Sequence, residues 1–189
     1  MTAALARALP TRQADQSFRH YRIVAADKGG VATAIAYAGM TRVHRLNADT
    51  VEEAVQAMEI ALDARLAGFL AERDPDGWPS VGEYRDVLFA LPEDLRDTVL
   101  PVLAAHARLP GARAAIADLA RITGGEKAAV FADYRKLGRR LFTDLRLAKQ
   151  RPATRDIRFV LDAFALCDLE ETAGYPVVQL RPAFVEALS

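Results

Sequence analysis

From Phe18 to Leu46 the chain reads FRHYRIVAADKGGVATAIAYAGMTRVHRL, apolar and polar positions alternating over short runs that Asp27-Lys28-Gly29-Gly30 and Gly39 interrupt. A period of two broken by glycine turns predicts three antiparallel strands. The period then lengthens. In VEEAVQAMEIALDARLAGFLAER, Val51, Val55, Met58, Leu62 and Leu66 recur at three and four residues, and Thr50 and Glu53 ahead of them have the spacing of a capping box. A long amphipathic helix that covers the sheet follows from this pattern. The first part of the chain is thus read as an extension, 1–17, and a β-β-β-α unit, 18–74.

The turn-rich stretch DPDGWPS marks the expected domain boundary, and a second domain is read over 80–189. Ser80 and Glu83 form a second capping box at the head of the short helix VGEYRDVLFAL. Pro92 is placed as the first residue of the helix PEDLRDTVLPVLAAHARL, which Pro101 should kink or divide. ARAAIADLARITGG, ended by Gly124-Gly125, predicts another helix, and a longer one follows it. Beyond Pro152, DIRFVLDAFALCDL, a turn at EETAG and YPVVQL read as a hairpin, and Arg181-Pro182 starts a short terminal helix. The fold class is α+β: an N-terminal β-β-β-α unit followed by a mainly helical, winged-helix-like domain.

Composition narrows the class without naming a reaction. With 51% hydrophobic and 26% charged residues in 189, the chain is that of a folded protein. Its single cysteine, Cys167, can form neither an intrachain disulfide nor a multi-cysteine zinc cluster. The N-terminus lacks an apolar run long enough for a signal sequence or membrane span, so a cytoplasmic protein with no membrane partner is expected. The formal net charge is zero, yet Arg121 to Arg158 holds eleven basic and four acidic residues, an excess of seven positive charges that the rest of the chain offsets. Such a split suits one anion-facing surface.

The excess centres on FADYRKLGRRLF, residues 131–142. At 100° per residue, Val130, Tyr134, Leu137, Leu141, Leu145 and Ala148 form a buried stripe, while Arg135, Arg139 and Arg146 line one exposed edge, with Lys136 and Arg140 further round. Guanidinium groups hold phosphate oxygens or guanine edges with paired hydrogen bonds. Two helices joined by a glycine turn and followed by a hairpin have the order of a helix-turn-helix with a wing, whose second helix enters the major groove by its N-terminal part. Lys127, Tyr134, Arg135, Lys136, Arg139, Arg140 and Arg146 are therefore the candidate nucleic-acid contacts. Ala128, Ala129 and Ala132 offer no base-reading group. The competing reading is a solvated helix back.

The order IADLARITGG, FADYRKLGRRLFTDL and a hairpin ending PVVQLRPAFVEAL resembles the winged-helix-like region found in bacterial proteins beside restriction-type HNH endonuclease domains and in stand-alone proteins. In that family a segment like LAEAVGY precedes one like YGxLGRxLAEAL, and the end reads like MRPEVAEAL. Tyr134, Leu137, Gly138, Arg139 and Leu141 match the middle segment, and Arg181, Pro182, Val185, Ala187 and Leu188 the end. The likeness covers roughly 92–189. It departs at Gly124-Gly125-Glu126, where the family has an aromatic and a basic residue. The nuclease motif is absent from a chain whose histidines are His20, His44 and His106, so cleavage is not implied. The N-terminal unit is similar to the strand-strand-strand-helix half of antitoxins with a degenerate RNase H-like fold, through a glycine-turned hairpin followed by ADTVEEAVQAM. Any small layered unit needs such a capped helix.

Other constellations carry less. The histidines fit no ligand or nucleophile pattern, and a meeting of His20 and His44 on neighbouring strands would leave a metal site incomplete. Glu52-Glu53 and Glu170-Glu171 are adjacent and point to different sides. Cys167 reads as a buried small hydrophobe, and Trp78 as an anchor between the two units. The sequence thus points to a non-enzymatic protein that binds double-stranded DNA without cofactor or metal, a regulator or accessory factor of a defence or mobile-element locus. It is expected to form a homodimer through its N-terminal unit. The alternative is a protein-interaction module whose basic helix meets an acidic protein partner.

Overall fold

The computed structural model describes residues 13–147, 157–172 and 175–189, with the side chains of 157–159 and 168–172 left aside. By its contacts the chain divides into two units, Met1–Arg65 and Leu66–Ser189.

The N-terminal unit is an antiparallel meander of four strands, β1 (Gln13–Phe18), β2 (Tyr21–Asp27), β3 (Ala32–Ala38) and β4 (Thr41–Ala48), in sequential order. Three strands were expected, and β1 takes up residues assigned to the 1–17 extension. QADQSF lacks apolar alternation because it forms an edge, where Gln13 pairs with Ala26 and Phe18 with Tyr21. Tyr21, Ile23, Ala25 and the four alternate alanines of β3 are buried. They face the buried stripe of helix α1 (Val51–Ala71), made of Val51, Ala54, Met58 and Leu62. Gln16 Nε2 donates to Glu59 Oε1 at 2.8 Å, and Arg19 pairs with Asp63 at 2.7 Å, which ties the β1 end of the sheet to the helix. The capping box is formed: Glu53 N donates to Thr50 Oγ1, and Thr50 N to Glu53 Oε2.

The division falls inside α1 rather than in DPDGWPS because the last turns of the helix, from Leu66 on, pack within the second unit. The Phe69 ring lies against Gly82, where a β-carbon would not fit. Arg73 meets the buried Glu83 carboxylate at 2.6 Å and donates to the Leu145 carbonyl at 2.9 Å. Glu83 also closes the second capping box, with Ser80, at the head of α2 (Val81–Phe89), which packs against α6 (Pro182–Ala187).

Helix α3 (Glu93–Ala107) stays one helix through the exposed Pro101, and Pro92 is its N-cap rather than its first residue. Next come β5 (Arg113–Ala115), α4 (Ile116–Thr123) and α5 (Lys127–Asp144), then a 3-10 segment (Ile157–Ala163), β6 (Ala165–Thr172) and β7 (Tyr175–Leu180). The sheet order β5-β7-β6 is antiparallel throughout. A strand ahead of two turn-linked helices, joined to the hairpin behind them, makes this a winged-helix arrangement. Two local expectations fail. Arg113–Ala115, read as helix, is a strand because β7 pairs with it. Ile157–Ala163, read as strand, is 3-10 because it packs on α5. There, a β-carbon on Gly138 would stand 2.8 Å from the Val160 carbonyl carbon. The hairpin turn at 173–174, Ala148, Lys149, Arg151 and Arg155 lie outside the described residues.

Candidate nucleic-acid interface

The turn between α4 and α5 sets the second helix. Gly124 adopts φ 70° at the end of α4, a conformation that favours glycine, and Gly125 N donates to the Ala120 carbonyl at 2.9 Å. Helix α5 then leaves with Val130, Tyr134, Leu137, Gly138, Leu141 and Leu145 turned into the core.

A buried polar chain fixes its height. His106 of α3 is fully enclosed, with Nε2 3.1 Å from the Val178 carbonyl of β7 and Nδ1 3.0 Å from the Tyr134 hydroxyl. A carbonyl can only accept, so Nε2 carries the ring proton and Nδ1 of the neutral ring accepts from Tyr134. Burial holds the His106 pKa down at about 4 against an ordinary 6.5, and raises the Tyr134 phenol above its usual value. The imidazole is therefore a neutral pin between α3, α5 and the hairpin. Its spacing in sequence carries no sign of that role.

Tyr134 must accordingly be struck from the contact residues. It is fully buried and its hydroxyl is spent on His106, so it cannot reach a nucleic acid. The six cations fall into two groups. Lys127, Lys136, Arg139 and Arg146 are exposed, but Arg146 lies past the end of α5 with φ 48°, so it does not continue the helical edge expected for Arg135, Arg139 and Arg146. Lys136 shares its charge with Asp133 at 3.3 Å, a solvated pair that a stronger anion can displace. Arg140 is half-buried and paired with Asp144 one turn on, leaving it little to offer. Arg135 is half-buried with its guanidinium 5.9 Å from the Phe131 ring centre, and its enclosed Nε has no acceptor among the described residues. Phe131 in turn meets Tyr175 of β7 edge-on at 5.7 Å. The N-terminal part of the outward face is Ala128, Ala129 and Ala132, all exposed.

The wing differs from the helix in sign. The strands ALCDLEET and YPVVQL carry three acids and no base. Trp78, read as an anchor between units, is stacked instead by Arg181 of its own unit, 3.7 Å from the ring centre, while Arg181 Nε donates to the Asp162 carbonyl at 3.0 Å. Among the described residues no helix is long and apolar enough to cross a membrane.

No family model matches the chain, and no curated protein or solved structure matches it. The likeness to the region beside HNH endonucleases therefore rests on its own residues, most of which pack. Tyr134, Leu137, Gly138 and Leu141 are buried, and Arg181 braces Trp78.

Proposed function

We propose that the C-terminal unit binds duplex DNA without cleaving it, through the outward face of α5, and that the protein acts in the cytoplasm as a regulator or accessory factor. One observation carries this reading: α5 is the second helix of a helix-turn-helix, its outward face bears the exposed Lys136 and Arg139, Lys127 is exposed in its first turn and Arg146 just past its end, and both of its own acids, Asp133 and Asp144, are already paired. The exposed alanines let the helix backbone approach a groove and read no base, so the contacts go to phosphate and the binding discriminates little between sequences.

The exposed Ala128, Ala129 and Ala132, which offer no base-reading group, favour a second reading, an acidic protein on α5. Fluorescence anisotropy with a labelled duplex over a salt series separates the two. Duplex binding should weaken steeply with salt, and Lys136→Ala/Arg139→Ala should lower the log–log slope by about 0.9 for each phosphate that the variant no longer neutralises. Parent-like binding by a folded double variant refutes the DNA reading.

A further inference from the structure

The sheet of the N-terminal unit has two unlike faces, and only one is occupied by α1. On the other, strand pairing sets Arg22, Tyr37 and Arg42 in one row across β2, β3 and β4, and Asp15, Val24, Ile35 and Arg45 in the next. Directly opposed residues of antiparallel strands share a face with β-carbons about 5 Å apart, and the register shift between Ala36 and Tyr37, which leaves Val43 of β4 unpaired, makes the Tyr37–Arg42 pair the one irregular step. Tyr37, half-buried on an interior strand, is thus flanked on both sides by a guanidinium, and Arg22, Arg42 and Arg45 are all exposed. A third row ends in Thr33 and Asn47, joined by a 2.8 Å hydrogen bond that confirms their common face. The sole carboxylate of these rows, Asp15, is taken by Arg22, while Arg42 and Arg45 make no ion pair among the described residues.

We propose that this face binds single-stranded nucleic acid, with a base stacked on Tyr37 and the flanking phosphates held by Arg42 and Arg45, while Arg22 stays paired with Asp15 at the edge of the ring. The occupant is chosen by charge and shape. A polyanion complements the two unpaired guanidinium groups of Arg42 and Arg45, and an aromatic ring on an open sheet stacks on splayed bases that a duplex keeps stacked on each other. A second copy of the chain fits poorly, because the cores of homodimer interfaces are apolar and depleted of charge. The site lies on a different unit from α5 and does not depend on the duplex reading.

The test uses the full chain carrying Lys127→Ala/Lys136→Ala/Arg139→Ala, which removes the exposed cations of α5, with labelled oligothymidylate and oligouridylate of about 10 nucleotides, a length suited to one such platform. Both should bind, because the ring stacks on a base whichever sugar carries it. Tyr37→Ala should weaken binding roughly fivefold to a hundredfold while Tyr37→Phe, which keeps the ring, retains it. Arg42→Ala/Arg45→Ala, two exposed positions that do not threaten the fold, should flatten the salt dependence by about 0.7 for each phosphate released from the face. The proposal is overturned if neither oligonucleotide binds, if the arginine pair variant binds as its parent does, or if Tyr37→Ala stays folded and binds like Tyr37→Phe. It is equally overturned if sedimentation finds a dimer that the arginine pair variant dissociates, for then the face belongs to a second copy.

Discussion

Gly138→Ala tests the packing of α5 more sharply than any charge change. In a free helix the substitution stabilises by about 1 kcal/mol, since glycine is the poorer helix former and loses more backbone freedom on folding. Here the new β-carbon would lie 2.8 Å from the Val160 carbonyl carbon and closer still to its oxygen, inside the 3.0 Å that β-carbons do not cross. The obstacle is backbone, which cannot rotate aside, so α5 and the 3-10 segment must separate. Overpacking of this kind costs about 1–3 kcal/mol and at a backbone contact lies at or beyond the upper end. Net of the propensity gain, a loss of about 2 kcal/mol is expected, which lowers Tm by roughly 5–10 °C for a unit of this size. Gly68, helical with nothing within 4 Å, is the internal control. Gly68→Ala should hold or raise Tm. Circular dichroism melts and urea midpoints of the two variants give the answer, and a Gly138→Ala protein as stable as the parent would refute the close approach.

Two further outcomes come from buried polar groups. His106 stays neutral in the fold down to about pH 4 while the unfolded chain takes up a proton near 6.5, so its stabilising contribution is full above pH 6.5 and is lost as pH falls towards 4. At about 1.4 kcal/mol per unit this amounts to about 3 kcal/mol, and a His106→Gln variant, measured by urea unfolding at pH 7 and pH 4.5, should show a smaller decline than the parent. Glu83 accepts from Arg73 and from Ser80 N while almost fully enclosed, so Glu83→Ala should cost about 3 kcal/mol by leaving a half-buried guanidinium with only the Leu145 carbonyl, against about 1 kcal/mol for Glu53→Ala at the exposed cap of α1. Equal melting temperatures for the two variants would deny the buried pair its role.

The elements that periodicity predicts are those whose own side chains decide them. α1 and α5 show their stripes because three- and four-residue spacing is the condition for burying one helix face, and both capping boxes are spelled by two residues each. The elements that escape are decided by partners. β5 is three residues of a helix-favouring stretch, made a strand only by β7 through Arg113–Gln179 and Ala115–Val177. Tertiary pairing overrides such weak local preference. IRFVLDA is a short apolar run, a pattern that fits strand and helix alike until the neighbour is known. β1 is an edge, where one polar face suffices and the alternation fades.

The site was legible in part, for a related reason. Asp133 with Lys136 and Arg140 with Asp144 stand three and four apart, so their pairing could be read from spacing, and it leaves Lys127, Arg139 and Arg146 as the exposed cations with no partner on α5. The His106–Tyr134 bond, 28 residues apart, has no such signature, and without it Tyr134 passes for a contact residue. The same burial changes what the YRKLGRR motif can mean. Four of the five residues that match the family segment build the core, Gly138 because a carbonyl presses on it, and such positions report how a helix packs. Arg139 alone among those five points outward. A chain that kept the four buried residues and replaced Arg139 would keep the fold and most of the motif while losing the exposed cation nearest its centre, so Arg139 is the motif residue through which a likeness of sequence can become a likeness of function.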